Sequence, residues 1–314
     1  MSAYVPRGWP AGLAALAALM ATLGLALLIT RLHAPRLARA ASWTLVVAAL
    51  WSAHRVTVGQ PPGFRMLIVI AGLLYAMKAV VSVEAGAHDG MRLPPLRWLA
   101  FATLWPGMRP GLFVHLEPPR SGAWPLLARG LGHVAFGASL VLLARLVWNA
   151  TGSAMLATAA LLPGLSLLLH FGVFGVLAAL WRRAGADCGP LFRAPLRSTS
   201  LGEFWSRRWN LAFSEMTALV VYRPVSVAVG RRTGLLAAFV LSGLLHEAAI
   251  SLPVGAGFGG PLLYFAIHGV LTLVERQRGP FGRVATMASL ALPLPLLFHA
   301  PFLRGVVWPL LGPG

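Results

Sequence analysis

The sequence predicts an all-α, polytopic membrane fold of about eight transmembrane helices, with interfacial or re-entrant helices in one long cytoplasmic loop. Three observations predict it: the composition, the length of the apolar runs and the alternation of charge between loops. Of 314 residues, 58% are apolar and only 11% charged, and the mean hydropathy is +0.75. A soluble domain carries about 25% charged and about 45–50% apolar residues. A larger core does not explain the excess, because single cores stop growing past a few hundred residues.

A membrane-crossing helix needs roughly 20 apolar residues for a hydrocarbon layer about 30 Å thick. Runs that approach this occupy 10–30, 38–53, 66–83, 126–148, 154–181, 235–252, 261–275 and 285–300. The first run follows Arg7 and is longer than a signal-peptide core, with no small-residue cleavage pattern after it, so it is read as a transmembrane helix. The stretch 94–105 ends in Trp105-Pro106 and is read as interfacial.

Loop charge supplies the orientation. The net charge is +18, from 26 basic and 8 acidic residues. Nucleic-acid-binding domains share that sign but not this hydropathy, so no nucleic-acid partner is expected. The arginines gather in loops 31–40, 84–125, 182–233 and 276–283, whereas 149–153 and 253–260 carry no charge. With eight spans, the positive-inside rule places the four basic loops in the cytoplasm. The expected setting is a bacterial inner membrane. No internal repeat of the kind many transporters carry is evident, and 1–314 reads as a single membrane domain.

Segment 182–233 is too polar to span and too aromatic for a plain linker. Ser200-Leu-Gly-Glu203 has the capping-box spacing that starts a helix. That helix would carry Phe204, Trp205, Trp209 and Phe213 among Arg207, Arg208 and Glu215, and Tyr222-Arg-Pro224 would end it. Trp and Arg anchor helices in the headgroup layer. Anchoring does not require the amide of Asn210, whereas orienting a nucleophile or holding an oxyanion does.

Ionisable groups within apolar spans are costly and mark function. His246 lies in the middle of 235–252, with Ser242 and Gly243 one turn before it on the same face. Either it serves as a general base, which its near-neutral titration suits, or it hydrogen-bonds between helices. Glu247 follows it. A zinc-protease helix would need His-Glu-x-x-His, but residue 250 is Ile, so no metal site is expected there. Glu247 is expected to pair with an arginine or another helix. His133, His170, His268 and His299 read as structural, with His170 and His268 as possible pocket residues. Lys78 receives no role. Cys188 is the only cysteine, which excludes an intrachain disulfide.

Taken together, Ser198-Thr-Ser-Leu-Gly-Glu-Phe-Trp-Ser-Arg-Arg-Trp-Asn210, Tyr222-Arg-Pro-Val225 and Ser242-Gly-Leu-Leu-His-Glu247 resemble the wax synthase branch of the membrane-bound O-acyltransferases. Trp105-Pro-Gly-Met108 resembles a further block of that branch. The family-like core is 198–247. The resemblance implies an enzyme that transfers a fatty acyl group from acyl-CoA, as co-substrate, to an alcohol, with no bound cofactor. It also implies His246 as the catalytic histidine and Asn210 as its upstream partner. Arg207, Arg208, Arg231 and Arg232, with Trp209 between the first pair and Asn210, would meet the acyl-CoA, or else bind lipid headgroups. The acceptor could equally be a sterol, glycerolipid, sugar or polyketide hydroxyl. A different class, a proton-coupled transporter or lipid-binding protein, would use His246 and Glu247 as a relay.

Overall fold

The computed structural model describes residues 2–116 and 118–312. Among these no strand occurs, and twelve helices carry the fold. They are α1 (Trp9–Ile29), α2 (Pro35–Thr57), α3 (Pro62–Asp89), α4 (Pro95–Leu104), α5 (Ala123–Thr151), α6 (Ala154–Arg183), α7 (201–208), α8 (Leu211–Val229), α9 (Arg231–Val254), α10 (Gly260–Arg278), α11 (Arg283–Leu297) and α12 (Ala300–Leu310). The first four open with Pro in their first turn, where its missing N–H costs no helical bond. Gly90 and Gly152 close α3 and α5 in the left-handed conformation.

Six described helices are long and apolar enough to cross a membrane, and a seventh span results if the bent pair α11 and α12 counts as one. The expected number was eight. The helices expected over 38–53 and 261–275 do form, as α2 and α10, but Arg39, Ser42, Ser52 and His54 dilute the first and His268, Glu275 and Arg276 the second. Conversely α8, read from sequence as part of a loop, is apolar enough to span.

Outward faces are apolar. On α1, Leu13, Leu16, Met20, Leu25 and Leu28 are all exposed, Leu28 at 64%. Such a belt suits lipid rather than water. Between helices, small residues admit close packing, as is usual where lipid supplies no hydrophobic drive. A Cβ on Gly137 of α5 would stand 2.5 Å from the backbone nitrogen of Leu168 in α6.

The four basic loops share one end of the bundle. Arg92 donates to the carbonyls of Arg31 and Leu32, Arg120 N–H to Arg182, and Gly282 N–H to Thr199. The opposite end is tied by Tyr4 to Val306 and by Arg65 to Pro253. The alternation of charge read from the sequence therefore matches the packing. It also shows what α7 and α8 do. Thr199 and Gly230 both lie at the basic end, so 199–230 enters the bundle and returns to the side it came from.

Candidate active site

The re-entrant arm begins at a helix start held three ways. Ser200 Oγ accepts from Glu203 N–H at 2.9 Å, and the Glu203 carboxylate accepts from Thr199 N–H at 2.9 Å. The buried Glu275 of α10 accepts from Leu201 and Gly202 N–H, both at 3.0 Å. The first orphan donors of α7 are thus satisfied and its positive dipole end faces a carboxylate. The Thr199 N–H, then Arg208, hold the Glu203 carboxyl below its ordinary titration range.

The continuous helix expected from 201 onward breaks. Trp209 is extended and Asn210 adopts φ 45°, ψ 64°, left-handed values that Asn tolerates better than most residues. Asn210 Oδ1 accepts from Phe213 N–H at 3.3 Å and so caps α8. Nor does Tyr222-Arg-Pro224 stop the helix. A wide turn over Ala218–Tyr222 precedes Arg223–Val229, and this π-type turn accommodates a proline that lacks a donor and crowds the preceding turn.

Residues 191–193 run beside the break. Leu211 N–H donates to Leu191 and Arg193 N–H to Arg208. Phe192 lies against Trp209 (4.9 Å between ring centroids) and stacks on His170 (4.7 Å), which itself occupies a π-turn of α6. Trp209 is therefore an anchor of the break.

His246 lies on α9 with its ring between Phe213 (5.3 Å) and Phe265 (4.3 Å). Its Nδ1 is 2.7 Å from the Ser242 carbonyl oxygen. A carbonyl only accepts, so Nδ1 carries the proton and Nε2 keeps a lone pair. Asn210 and His246 are joined through one residue, since Asn210 caps the N–H of Phe213 and the Phe213 ring packs on His246. The small face before His246 has a visible use. A Cβ on Gly243 would stand 2.8 Å from Leu262 of α10.

Glu247 takes no part in this shell. Its Oε1 accepts from Gly259 and Leu262 N–H, at 2.7 and 3.1 Å, capping α10. It pairs with another helix, one of the two partners expected, and with no arginine among the described residues. His268 is fully buried, with Nδ1 on the Tyr264 carbonyl. His299 caps the start of α12 by accepting from Phe302 N–H.

The nominated arginines separate. Arg208 pairs with Glu203 at 2.6 Å and reaches the carbonyls of Arg193 and Ala194. Arg207 is exposed. Arg231 and Arg232 are exposed at the start of α9, roughly 22 Å along the helix from His246 at 1.5 Å per residue. None of the four lines the cleft of about 370 Å³ that opens beside Leu211, Trp105 and Glu215. The arginines there are Arg109, Arg182 and Arg193. Arg109 pairs with Glu215 at 2.8 Å, and Arg182 with Asp187 at 2.5 Å.

Sequence reasoning counted these three only as loop charges, although Arg109 directly follows Trp105-Pro-Gly-Met108. It also gave no role to Lys78, which is fully buried. The Lys78 ammonium donates to the carbonyls of Phe101 (2.9 Å), Trp105 (2.7 Å) and Gly107 (2.5 Å) and lies 3.6 Å from the Phe101 ring. It pins the turn that presents Arg109. Cys188, beside it, is buried, and burial pushes its thiol up to about 12 against the opposing charge of Lys78.

The stretch that builds the break and the His246 shell also carries a family signature. Residues 188–267 match the family described as membrane bound O-acyl transferase. That stretch is therefore similar to this family over about a quarter of the chain. Curated relatives agree with it. A long-chain-alcohol O-fatty-acyltransferase of Simmondsia chinensis is 38% identical over 100 residues, covering 29% of this chain and 28% of that protein. Probable long-chain-alcohol O-fatty-acyltransferases 7 and 9 of Arabidopsis thaliana are 38% identical over 100 residues and 32% over 142, covering 30% and 42% of their lengths. The chain thus spans well under half the length of these relatives. The matched segment contains Asn210, His246, Trp209 and Arg207, Arg208, Arg231 and Arg232. It excludes Arg109 and Arg182, which reach the cleft from the 105–109 turn and the end of α6, and Lys78 of α3, which holds that turn from behind.

Proposed function

We propose that this chain transfers a fatty acyl group from acyl-CoA to the hydroxyl of a lipid-like alcohol, as a wax-ester synthase does. The observation that carries the reading is His246. Its Nδ1–H is committed to Ser242, so Nε2 is left as a base beside the turn that Asn210 caps. Nε2 takes the proton of the acceptor hydroxyl. The alkoxide oxygen attacks the thioester carbonyl carbon. The Asn210 amide N–H donates to the oxyanion that forms. Collapse expels the CoA thiolate, which takes the proton back from the imidazolium, leaving ester and CoA. The aromatic walls keep water from competing for the thioester.

The nucleotide end of the donor would enter the cleft from the basic end, which this reading places in the cytoplasm. Arg109, Arg182 and Arg193, with exposed Arg207, would face its phosphates. Arg208 and Trp209 would hold the arm in place, and Arg231 and Arg232 would meet lipid headgroups. Glu247 commits Oε1 to α10, and among the described residues no hydrogen bond joins it to His246, which counts against a His246–Glu247 proton relay and so against a coupled transporter.

Membranes containing the wild-type chain should convert labelled acyl-CoA and a long-chain alcohol to ester, and His246→Ala should abolish this with insertion intact. Full activity in that variant would remove His246 from the chemistry. A panel of sterol, diacylglycerol, sugar and polyketide acceptors separates the alcohol class from the others.

A further inference from the structure

A second basic site lies at the same end of the bundle, outside the cleft. Arg31 sits in the turn after α1. Arg92, from the loop after α3, donates Nη1 to the Arg31 carbonyl (3.3 Å) and Nη2 to the Leu32 carbonyl (3.1 Å), and both arginines line one cavity. Nε and Nη2 of Arg31 are both shut off from solvent, and neither has a hydrogen-bond partner among the described residues. A buried guanidinium donor without an acceptor is among the costlier defects a protein can carry.

A cavity of about 60 Å³ adjoins them, lined by Arg31, Arg92, His33, Thr30, Ser82 and Trp98. At the 10–15 Å³ that one water needs, it has room for about four to six waters, or for one tetrahedral anion. The other polar groups of the wall are already engaged. Thr30 donates to Leu27, Ser82 to Lys78, and Trp98 Nε1–H to Ser82 Oγ. The nearby carboxylate of Glu84 is held by both arms of Arg39, at 2.8 and 2.9 Å. Apart from the His33 ring, the free capacity of the described wall is that of the two arginines, which only donate. Burial, and then the charge of Arg92, lower the Arg31 pKa.

We propose that a phosphate group binds between Arg31 and Arg92, either in the headgroup of an anionic phospholipid or as free inorganic phosphate. The planar fork of Arg31 matches phosphate oxygens in pairs. The cavity lies where the apolar belt of α1 ends, and the exposed Leu25 and Leu28 one to two turns below Arg31 offer a track for acyl chains. This site is separate from the acyl-transfer reading and stands or falls without it.

The test is thermal unfolding of the full chain in detergent, followed by tryptophan fluorescence. The probes are dioleoylphosphatidylglycerol, dioleoylphosphatidylcholine and inorganic phosphate. Phosphatidylglycerol should raise Tm at a concentration about tenfold below that of phosphatidylcholine, the scale of one charge-assisted pair. Arg31→Gln should erase that difference, and Arg197→Gln, an exposed loop arginine, should keep it. Protection by inorganic phosphate as well as lipid identifies the free anion, and protection by lipid alone identifies the headgroup. A wild-type protein indifferent to all three probes overturns the site, as does an unchanged response in Arg31→Gln. Should Arg31→Gln not fold, Arg31→Lys keeps the charge but loses the fork, and its affinity for phosphatidylglycerol should fall about fivefold to tenfold. An unchanged affinity in that variant also overturns it.

Discussion

Asn210 has two duties that substitution can separate. Its left-handed backbone and its cap hold the start of α8, and its amide is the proposed oxyanion donor. Asn210→Gly keeps the backbone freedom and loses a weak cap, so stability should stay within about 1 kcal/mol. Its kcat should nevertheless fall about 10²- to 10³-fold. Asn210→Ala adds left-handed strain to the lost cap and should cost about 2–3 kcal/mol in chemical denaturation. If Asn210→Gly is both stable and fully active, the residue is a cap alone. The importance of Asn210 was legible in the sequence, because an amide is superfluous in an interfacial anchor. Its conformation was not, because the left-handed turn accompanies the packing of Trp209 on Phe192, a residue of the separate 191–193 segment that no local pattern pairs with it. Cys188 makes a simpler case. A thiol pushed up to about 12 by burial holds almost no thiolate at neutral pH, so maleimide should leave the folded protein unmodified and label it only after denaturation.

At the scale of elements, one buried charge holds the re-entrant arm to the bundle and another holds the turn beside the cleft. Glu275 reaches from α10 to the first N–H groups of α7, and Lys78 reaches from α3 to three carbonyls of the 101–107 turn. Glu275→Gln keeps the shape but loses charge-assisted bonds, and should lower stability by about 1–2 kcal/mol. Lys78→Met leaves three buried carbonyls without a donor and should cost about 3 kcal/mol or more, seen as a drop in Tm. A neutral outcome for Lys78→Met would mean that the turn is held by its apolar contacts. The sequence pattern located the start of α7 correctly, since a capping box is local chemistry. It ended the arm at Pro224 too early, because whether a helix survives a proline depends on a wider turn before it, and that turn leaves no mark in residue types. The cleft arginines escaped notice for a related reason. Arg109 comes from the 105–109 turn, Arg182 from the end of α6 and Arg193 from the segment before α7, and only the tertiary fold brings them to one wall.

For the whole molecule, the grouping of basic loops was readable because it rests on counts of arginine between apolar runs. The number of spans was harder to read, since the return of 199–230 to its own side depends on the ties from Gly282 and Glu275. Single-cysteine reporters test this arrangement against the silent background of Cys188. Arg197→Cys and Arg278→Cys, both exposed at the basic end, should react with a membrane-impermeant maleimide from one face of sealed vesicles. Phe258→Cys, at the opposite end, should react from the other. Labelling of residues 197 and 258 from the same face would refute the packing order of α9 and α10. Lys78 has a last consequence of a practical kind. It is the one lysine in the chain and its nitrogen is wholly enclosed. An amine-directed ester therefore finds no side-chain target in the native protein. Modification of that position becomes a clock for unfolding, and one lysine placed on any outer surface becomes a unique attachment point.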